Sequence, residues 1–500
     1  GAVVRKTPKK LLDALLEGDS RYEAVTNLQD AKCDIYFTWD TTAFLQRLGH
    51  PSCPSPEGIP QLPEDACINR LPGMGLLCDK VNMALALRLM QRLWPTKFRF
   101  WPKSWLLPAE SDELRSWLSK KTGGKNRTVI VKPSDGSLGE GIFLAQSASD
   151  LDTKLLARAN WGAGFAALAQ KYLPNPFLLN GLKFDLRLYA VVTSIDPLEA
   201  YLCREGLARF CTTKYEAPTA ANAGQHYMHL TNFSVNKKSA GFVKANDPWN
   251  PMSEASKRPL STLLRQIEAE QIAAGKTFDE AAFYTSCEEI VVVLMQALAP
   301  VLNVTYDRVV KDAAKAKAKA KAKPKAKPKK SKANDSSDES GKEDANSSGS
   351  EDDLGYSPRC FQVLGVDVLL DDDLQPFLLE INGRPSLDIE EPIRLSECPE
   401  GTRRCVCRDM DGEEHAHMVS EVDLAVKKMV LEGAFALATQ HKMGEVKPEE
   451  YGFRSLSFDE HSPSDDLSGT LDLIARLYQA AGGGDKAFTT YGLRRALAPA

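Results

Sequence analysis

The chain has 500 residues, which is long enough for more than one domain. Its 63 lysines and arginines nearly balance its 67 aspartates and glutamates, so the overall charge predicts neither a nucleic-acid binder nor a membrane-surface protein. The 11 cysteines are scattered without paired C-x-x-C spacing, which argues against a zinc module and is typical of a reduced cytosolic compartment.

The predicted elements begin with a polar lead-in over residues 1–30 that has weak helical character. Residues 31–97 are predicted to form a small N-terminal α/β domain, with an alternating apolar strand and then a helix that starts after Asp79 and ends before Pro95. The chain starts with Gly rather than Met, which predicts a fragment or a processed chain, so the lack of a targeting signal carries no weight.

A central domain is predicted over residues 98–194. In it the β-branched strand TVIVKP leads into the glycine-rich turn SDGSLGEG, and the strand GIFLA follows. Strand, glycine turn and strand make a phosphate-handling arrangement, because glycine lets backbone N–H groups approach an anion closely. The turn matches neither a Walker loop nor a G-x-G-x-x-G fingerprint.

The third predicted domain covers residues 195–432 and contains two long strands, an apolar region, a hairpin and a final helix. A Lys/Ala/Pro block followed by a Ser/Asp/Glu block at 311–353 cannot bury a core, so this insert is predicted to be disordered. The longest apolar run, 290–304, contains Pro300 and is shorter than the roughly 20 residues of a spanning helix, so no membrane segment is predicted. Residues 433–500 are predicted to be a tail with a helical piece near 471–483.

The hairpin at 361–387 carries a carboxylate in the middle of an apolar strand, Asp367, and two polar residues at the end of the next, Glu380 and Asn382. In an antiparallel hairpin these three side chains can share one face, and oxygen ligands of this kind suit Mg²⁺ together with phosphates. An unpaired buried carboxylate is costly, so Asp367 needs a cation or donors beside it. The alternative is that Asp367 is a bulge residue and Glu380 an edge charge.

Two further strands carry charges. In KFDLRLY, Lys183, Asp185 and Arg187 alternate on one face, which is either a functional surface or an ordinary solvent-exposed face. Arg209 in GLARF could bind a carboxylate or a phosphate through two hydrogen bonds. Lys132 ends its strand before the glycine turn, where it either neutralises a nucleotide phosphate or is a solvated strand terminus.

Several segments together resemble one family. VKPSDGSLGEGIF, QKYLPNPFLLNGLKFDLRLY, EGLARFCTTKY, MHLTNFSVNK, and GVDVLL with FLLEINGRPSL have the order and approximate spacing of the tubulin tyrosine ligase-like family. INRLPGMGLLCDK and FWPKSWLLP look most like its polyglutamylase branch. The resemblance covers roughly residues 65–430 and implies an ATP-grasp-type α/β (α+β) fold.

The resemblance also implies site residues. Lys132 and Lys183 would contact ATP phosphates, Asp185 would contact the ribose, and Thr231 and Asn232 would lie near the nucleotide. Arg187 and Arg209 would hold the γ-phosphate and an acyl-phosphate intermediate, and are the predicted catalytic residues. The remaining predicted contacts are Gly136, Gly139 and Gly141 of the glycine turn, Gln170, Lys171, Tyr172 and Leu173 beside the adenine, and Asp367, Glu380 and Asn382 around Mg²⁺.

The implied function is ATP- and Mg²⁺-dependent ligation of free glutamate to glutamate side chains of the acidic C-terminal tails of tubulin. Tubulin and microtubules are the expected partners of a monomer in the cytoplasm and cytoskeleton, with the cilium, flagellum or basal body as sites. The alternatives are a glycine or tyrosine ligase of the same family, and a non-catalytic microtubule-binding protein with the same fold. The choice between α- and β-tubulin or another acceptor stays open, as does chain initiation or elongation.

The sequence departs from the family pattern at two places. The glycine turn reads SDGSLGEG where the family has a run closer to DSGCQGRG, which bears on the motion of the turn more than on phosphate binding. Arg384 stands where the family has a small or polar residue. That arginine either selects an acidic incoming amino acid or forms a salt bridge with Asp388.

Overall fold

A computed structural model describes residues 2–4, 9–16, 24–25, 34–37, 66–134, 139–157, 166–245, 247–322, 359–395, 398, 404–406 and 414–458. Gly136 and the predicted helical piece near 471–483 lie outside these ranges. Most of the predicted insert, from residue 323 onward, also lies outside them. Within them the chain mixes helices with mainly antiparallel sheets, so the predicted α/β class is confirmed.

The strands are numbered in chain order. They are β1 (Ala2–Val4), β2 (Ala24–Val25), β3 (Ile35–Phe37), β4 (Cys67–Ile68), β5 (Ser104–Leu107), β6 (Lys121–Thr122), β7 (Lys125–Asn126), β8 (Val129–Pro133), β9 (Phe143–Ala145), β10 (Ala167–Lys171), β11 (Leu178–Leu179), β12 (Leu182–Ile195), β13 (Leu198–Phe210), β14 (Lys257–Pro259), β15 (Arg359–Cys360), β16 (Gln362–Leu370), β17 (Pro376–Asn382), β18 (Glu390–Arg394), β19 (Arg404–Val406), β20 (Glu414–Val419) and β21 (Phe453–Ser455).

The helices are numbered in the same way. They are α1 (Lys9–Leu16), α2 (Met74–Leu77), α3 (Lys80–Leu93), α4 (Ser111–Leu118), α5 (Ala148–Leu156), α6 (His226–His229), α7 (Phe233–Asn236), α8 (Leu260–Ala273), α9 (Glu280–Ala322) and α10 (Glu421–Met443), with a 3-10 helix at Pro448–Tyr451. Helix α3 starts as predicted, because Asp79 caps it and accepts hydrogen bonds from the backbone N–H groups of Val81 and Asn82, both at 3.0 Å.

The largest sheet is antiparallel, with strand order β14-β13-β12-β16-β17, and β11 and β21 pair with β12 and β13. Successive residues of a strand point to opposite faces, so each strand contributes to two layers. On one face, residues such as Leu186 and Val366 pack in a core with α3, α8 and α9. On the other, Tyr189, Val191 and Val363 pack in a second core with α1 and α10. Asp185 and Arg187 share this second face.

A smaller antiparallel sheet, with order β5-β10-β8-β9, carries the strand that ends in Lys132. One of its faces packs against α4 and α5 through apolar residues that include Leu114, Leu151 and Val131. Lys132 lies in register with Leu168 of β10, on the opposite face from Val131. This geometry turns Lys132 away from the α4/α5 core.

Helix α9 is longer than the sequence predicted. Its segment Glu280–Asp307 has the length and hydropathy of a membrane-crossing helix, but most of it is buried within the protein. There Ile290, Leu294 and Leu298 belong to the core beneath the large sheet. The helix passes through Pro300 and ends at Ala322, so its last turns extend into the predicted insert 311–353. Alanine and lysine are strong helix formers, which accounts for the extension into the Lys/Ala block.

Helix α10 also extends beyond its predicted end. The predicted boundary between residues 432 and 433 falls inside the helix, which ends at Met443. Its apolar residues continue into the second core as far as Leu437 and Ala438. After it, Phe453 begins a strand that pairs with β13. The segment up to residue 458 is therefore part of the packed structure.

Candidate active site

The hairpin of β16 and β17 brings three predicted metal ligands together. Asp367 lies opposite Glu380 in the ladder, and Gly365 lies opposite Asn382. The Asn382 Nδ2 atom is 3.5 Å from Asp367 Oδ2 and 3.4 Å from Glu380 Oε1. The predicted convergence of these side chains is confirmed, and their role as ligands stays a prediction. The alternative was also partly right, because a register shift follows Asp367 and β17 is an edge strand.

Two arginines meet the carboxylate of Asp367. Arg187 donates to it from Nε, and from Nη2 at 2.9 Å, while Arg209 Nη2 lies 2.9 Å from its Oδ2 atom. Arg209 also forms two 2.7 Å hydrogen bonds to Asp185, which accepts a third from Thr231 Oγ1 at 2.6 Å. The charged face of β12 is therefore a buried ion-pair network, and the alternative of an ordinary exposed face is wrong here.

The network is ionised. Burial alone would raise the pKa of Asp367, but the two guanidinium groups beside it hold that pKa well below its usual range. Burial opposes the charge of Arg209, yet Asp185 and Asp367 keep its pKa well above the ordinary value. The Asp367 carboxylate and the two guanidinium groups are thus charged within this buried network.

Lys132 is buried rather than solvated at its strand end. Its ammonium donates to Gln170 Oε1 at 3.1 Å and to the backbone carbonyl of Leu379 at 3.3 Å. Burial lowers the pKa of Lys132 to about 8, against the opposing effect of Glu380. An ammonium that costs this much to bury is expected to gain from a negatively charged ligand.

The buried ammonium of Lys183 is hydrogen-bonded to a tyrosine side chain and to the backbone of a histidine. Its ammonium donates to Tyr172 OH at 3.0 Å and to the carbonyl of His229 at 2.8 Å, and it lies 4.5 Å from the centre of the Tyr172 ring. The Tyr172 hydroxyl is 3.1 Å from His229 Nδ1. Burial, together with Lys183, lowers the pKa of His229 to about 4, so this histidine is neutral. No pattern in the sequence indicated that Tyr172 and His229 support the lysine.

Two cavities meet at this network. A small cavity of about 70 Å³ lies between the two sheets, and a large one of about 880 Å³ lies beside α10. Both are lined by Ile142, Arg209, Asn232 and Glu380. The large cavity is rich in cations, with eight lysine and arginine side chains against five acidic ones in its lining.

Most of the predicted site residues line one cavity or both. The small cavity is lined by Lys132, Gln170, Lys171, Tyr172, Leu173, Lys183, Asp185, Arg209, Thr231, Asn232, Asp367 and Glu380. The large cavity is lined by Gly139, Arg187, Arg209, Asn232, Glu380, Asn382 and Arg384. Gly141, next to Ile142, is not in either lining.

Sequence reasoning missed the far walls of the large cavity. They come from α1, α10 and the small sheet β18-β20-β19, and include Lys10, Glu390, His417, Asp423 and Lys427. One signal was available, because Asp423 and Lys427 are spaced by four residues on an otherwise apolar helix face and form a 2.8 Å ion pair there. Lys10 reaches Glu390 across the cavity mouth.

The donor set fits a magnesium–nucleotide complex. No group of three or more His, Cys, Asp and Glu side chains suited to a metal occurs in the described ranges. A metal at Asp367 and Glu380 would therefore need the Asn382 amide oxygen and ligand oxygens, which is how Mg²⁺ is usually held beside phosphates. In the small cavity the buried Gln170 Nε2 atom has no hydrogen-bond partner, which suits a ligand with acceptor atoms.

Comparison with known proteins places these residues in a family. The sequence profile of the tubulin-tyrosine ligase family matches residues 61–278 and 314–407. Human tubulin polyglutamylase TTLL11 is 32% identical over 335 residues, which cover 66% of this chain and 39% of that protein. Zebrafish tubulin polyglutamylase ttll6 is 31% identical over 65% of this chain and 33% of its own length.

A third relative, human tubulin polyglutamylase TTLL7, is 32% identical over 67% of this chain and 32% of that protein. The chain thus spans between a third and two fifths of the length of these curated relatives. The family match covers most of both sheets and the hairpin that carries Asp367 and Glu380. The predicted ATP-grasp-type α/β fold and the predicted resemblance to polyglutamylases are therefore confirmed, and the chain belongs to the tubulin-tyrosine ligase family.

Proposed function

We propose that this chain is an ATP- and Mg²⁺-dependent carboxylate–amine ligase that adds glutamate to glutamate side chains of tubulin C-terminal tails. The observation that carries the proposal is the shared wall of the two cavities at Arg209, Asn232 and Glu380. A nucleotide in the small cavity and an acceptor in the large one would meet there. The names of the polyglutamylase relatives support glutamate as the amino acid and tubulin as the acceptor.

The chemistry requires activation of a carboxylate, which is a poor electrophile. An acceptor carboxylate oxygen would attack the γ-phosphorus of ATP, releasing ADP and forming an acyl phosphate. The amine of glutamate would then attack the acyl carbon, forming an amide, losing a proton and releasing phosphate. Both steps place negative charge near Arg187 and Arg209, and preorganised cations in a water-excluded site stabilise such charge strongly.

The nucleotide would lie along the small cavity. In this proposal Lys132 and Lys183 bind its phosphates, Gln170 to Leu173 border the adenine, and Asp185 is near the ribose. The other proposed nucleotide contacts are Thr231, Asn232 and the glycine turn with Gly139 and Gly141.

The metal would bind Asp367, Glu380 and Asn382, where it would neutralise phosphate oxygens. In this structure Asp367 pairs with the guanidinium groups of Arg187 and Arg209. A cation on this carboxylate would weaken both ion pairs, which would free the arginines to face the transferring phosphoryl group.

The acceptor is expected to be acidic. The excess of lysine and arginine in the large cavity favours a peptide rich in glutamate over a neutral or basic one. Tubulin and microtubules are the proposed partners, and association with the cytoskeleton follows from them. Glycine or tyrosine ligation is the alternative within the family, and competition among labelled amino acids separates the three reactions.

The test incubates the chain with tubulin, Mg²⁺-ATP and labelled glutamate. We expect ATP-dependent incorporation that is lost in Glu380→Gln, because the half-buried carboxylate is a proposed metal ligand. Glu199→Gln on exposed β13 surface is the matched control and is expected to keep full activity. If no protein acceptor is labelled while tubulin binds in a salt-sensitive way, the chain is a non-catalytic microtubule binder instead.

A further inference from the structure

The hydroxyl of Tyr189 is a buried donor without a partner. Among the described residues, only Tyr189 OH and Gln170 Nε2 are buried side-chain polar atoms that lack a hydrogen bond. Gln170 lines the small cavity and Tyr189 the large one. A buried unsatisfied polar group costs about 1–3 kcal/mol, so its presence needs a reason such as a ligand.

The position of Tyr189 relates it to the proposed reaction centre. It follows Arg187 by two residues on β12, so both lie on the same face, with Cα atoms about 6.6 Å apart. The residue opposite Tyr189 in the ladder is Gly365, and Arg187 and Pro385 occupy the space that a side chain from β16 would take.

Two buried lysines line the same cavity. Lys257 pairs with Asp423 and lies 3.3 Å from Glu391, while Lys427 lies 2.8 Å from Asp423. Lys427 also donates to the backbone carbonyl of Asp388 at 2.5 Å. Each ammonium can donate three hydrogen bonds. The large cavity is therefore lined by two buried, ion-paired ammonium groups as well as by Tyr189.

We propose that Tyr189 determines amino-acid specificity by donating to the side-chain carboxylate of the incoming glutamate, with Lys257 and Lys427 supplying the positive charge. This inference rests on the proposed ligase function. The amine end of glutamate would then point towards Arg187 and the acyl carbon. A site built to bind a polar group rejects an analogue that lacks it, because its own buried polar groups stay unpaired.

The hydroxyl is enclosed in the present structure, so the carboxylate has to displace a neighbouring side chain to reach it. The side chains of Lys257 and Lys427 can accommodate this displacement, because each has a flexible four-carbon chain and an ammonium that can exchange one carboxylate partner for another. The incoming carboxylate would then replace part of the contact with Asp423. Binding of glutamate is expected to leave the ion pair between Arg187 and Asp367 unchanged.

The test compares Tyr189→Phe with the wild type, using tubulin as acceptor. Removal of an unpartnered buried hydroxyl should not destabilise the fold. We expect KM for glutamate to rise about tenfold, the equivalent of one lost hydrogen bond to a charged group. The kcat and the KM for ATP are expected to stay at wild-type values. Tyr284→Phe, which loses a 2.7 Å hydrogen bond to the Arg204 carbonyl far from the cavity, is the matched control.

Glutamine in place of glutamate tests whether the hydroxyl binds the side-chain carboxylate or another part of the amino acid. We expect the glutamate-to-glutamine ratio of kcat/KM to fall in Tyr189→Phe. An equal loss for both amino acids would place the hydroxyl on their shared α-carboxylate and overturn the proposal, as would unchanged kinetics, which would mean that it binds water only. If the wild type itself incorporates no glutamate, the ligase function fails first and the subsite falls with it.

Discussion

The two cavities on either side of Arg209 are built in different ways. The small cavity is lined mainly by strand residues of the two sheets and by residues 229–232, and its lysines are already held by neighbours such as Gln170 and Tyr172. The large cavity takes its walls from α1, the glycine turn, the central sheet, the small sheet and α10. Both linings thus combine distant parts of the chain, and the large cavity, unlike the small one, also draws on α1, α10 and the small sheet.

The largest effect is expected at the wall that both cavities share. Arg209→Lys keeps the charge but cannot bind Asp185 through two hydrogen bonds and reach Asp367 as well. We expect kcat to fall by about 10²–10³-fold, the usual cost of losing one preorganised donor to a developing charge. Steady-state rates at saturating ATP and glutamate measure this effect.

The control for that variant is Arg265→Lys on the exposed side of α8, where the guanidinium bonds only to Ser261 and Thr262 nearby. It is expected to retain wild-type kcat. A folded Arg209→Lys enzyme with less than a tenfold loss would contradict the idea that the two cavities work through this arginine.

The second-largest effect is expected for a substitution that disturbs the large cavity alone. A Cβ at Gly365 would lie 3.0 Å from both Arg187 Cδ and Pro385 Cβ, so Gly365→Ala must shift the arginine or the segment after β17. Misplacement of a reacting group by about 1 Å can cost 10²-fold, and a shift of a few tenths is expected to cost about tenfold in kcat. The KM for ATP, for which the small cavity is the proposed site, is expected to change little.

A second glycine provides a matched control for Gly365→Ala. Gly224 has no atom within 4 Å of the place where a Cβ would lie, so Gly224→Ala adds the same methyl group without a clash. Equal kinetics in the two variants would show that the close packing at Gly365 has no part in positioning Arg187. A larger change in ATP binding than in kcat would mean that the two cavities are not independent.

The sequence predicted residues of the small cavity but not the far walls of the large one. The period-2 pattern of the strands showed only which residues share a face, and the grouping of Lys132, Lys183 and Asp185 around one site came from the family resemblance. Asp423 and Lys257 are 166 residues apart, and no local pattern shows that they meet. The sequence also left open whether the charges on β12 face solvent, because burial is decided by α10 packing on that face.

Element ends were the weaker part of the fold prediction. The Lys/Ala block looked too polar to be ordered, yet helix propensity carries α9 to Ala322. The end of α10 was placed at Gly433, but the apolar face of the helix continues past that residue to Leu437. In both cases the helix continues past the residue at which the local composition predicted its end. Adding a residue to a helix that has already formed costs less than starting a new helix.

The smallest effect is expected in the small cavity and depends on pH. Burial lowers the pKa of Lys132 to about 8 from 10.5, so the folded protein releases this proton before the unfolded chain does. Between pH 8 and 10.5 the unfolded state binds more protons, and this group therefore makes the free energy of unfolding rise with pH. Binding of phosphate needs the charged ammonium group of Lys132, so kcat/KM for ATP should fall over the same range. The expected fall between pH 8 and pH 9 is about fivefold.

Stability and ATP use should thus change in opposite directions above pH 8, which distinguishes Lys132 from a group whose loss simply unfolds the protein. Lys132→Arg keeps its charge at these pH values and is expected to have a flat kcat/KM for ATP up to pH 9. Thermal unfolding of Lys132→Met between pH 7 and 9 should lack the stabilising trend of the wild type. A wild-type kcat/KM for ATP that stays constant through pH 9 would mean that the charge of Lys132 is not what the nucleotide meets, and the small cavity would then bind its ligand through Lys183 and the arginines alone.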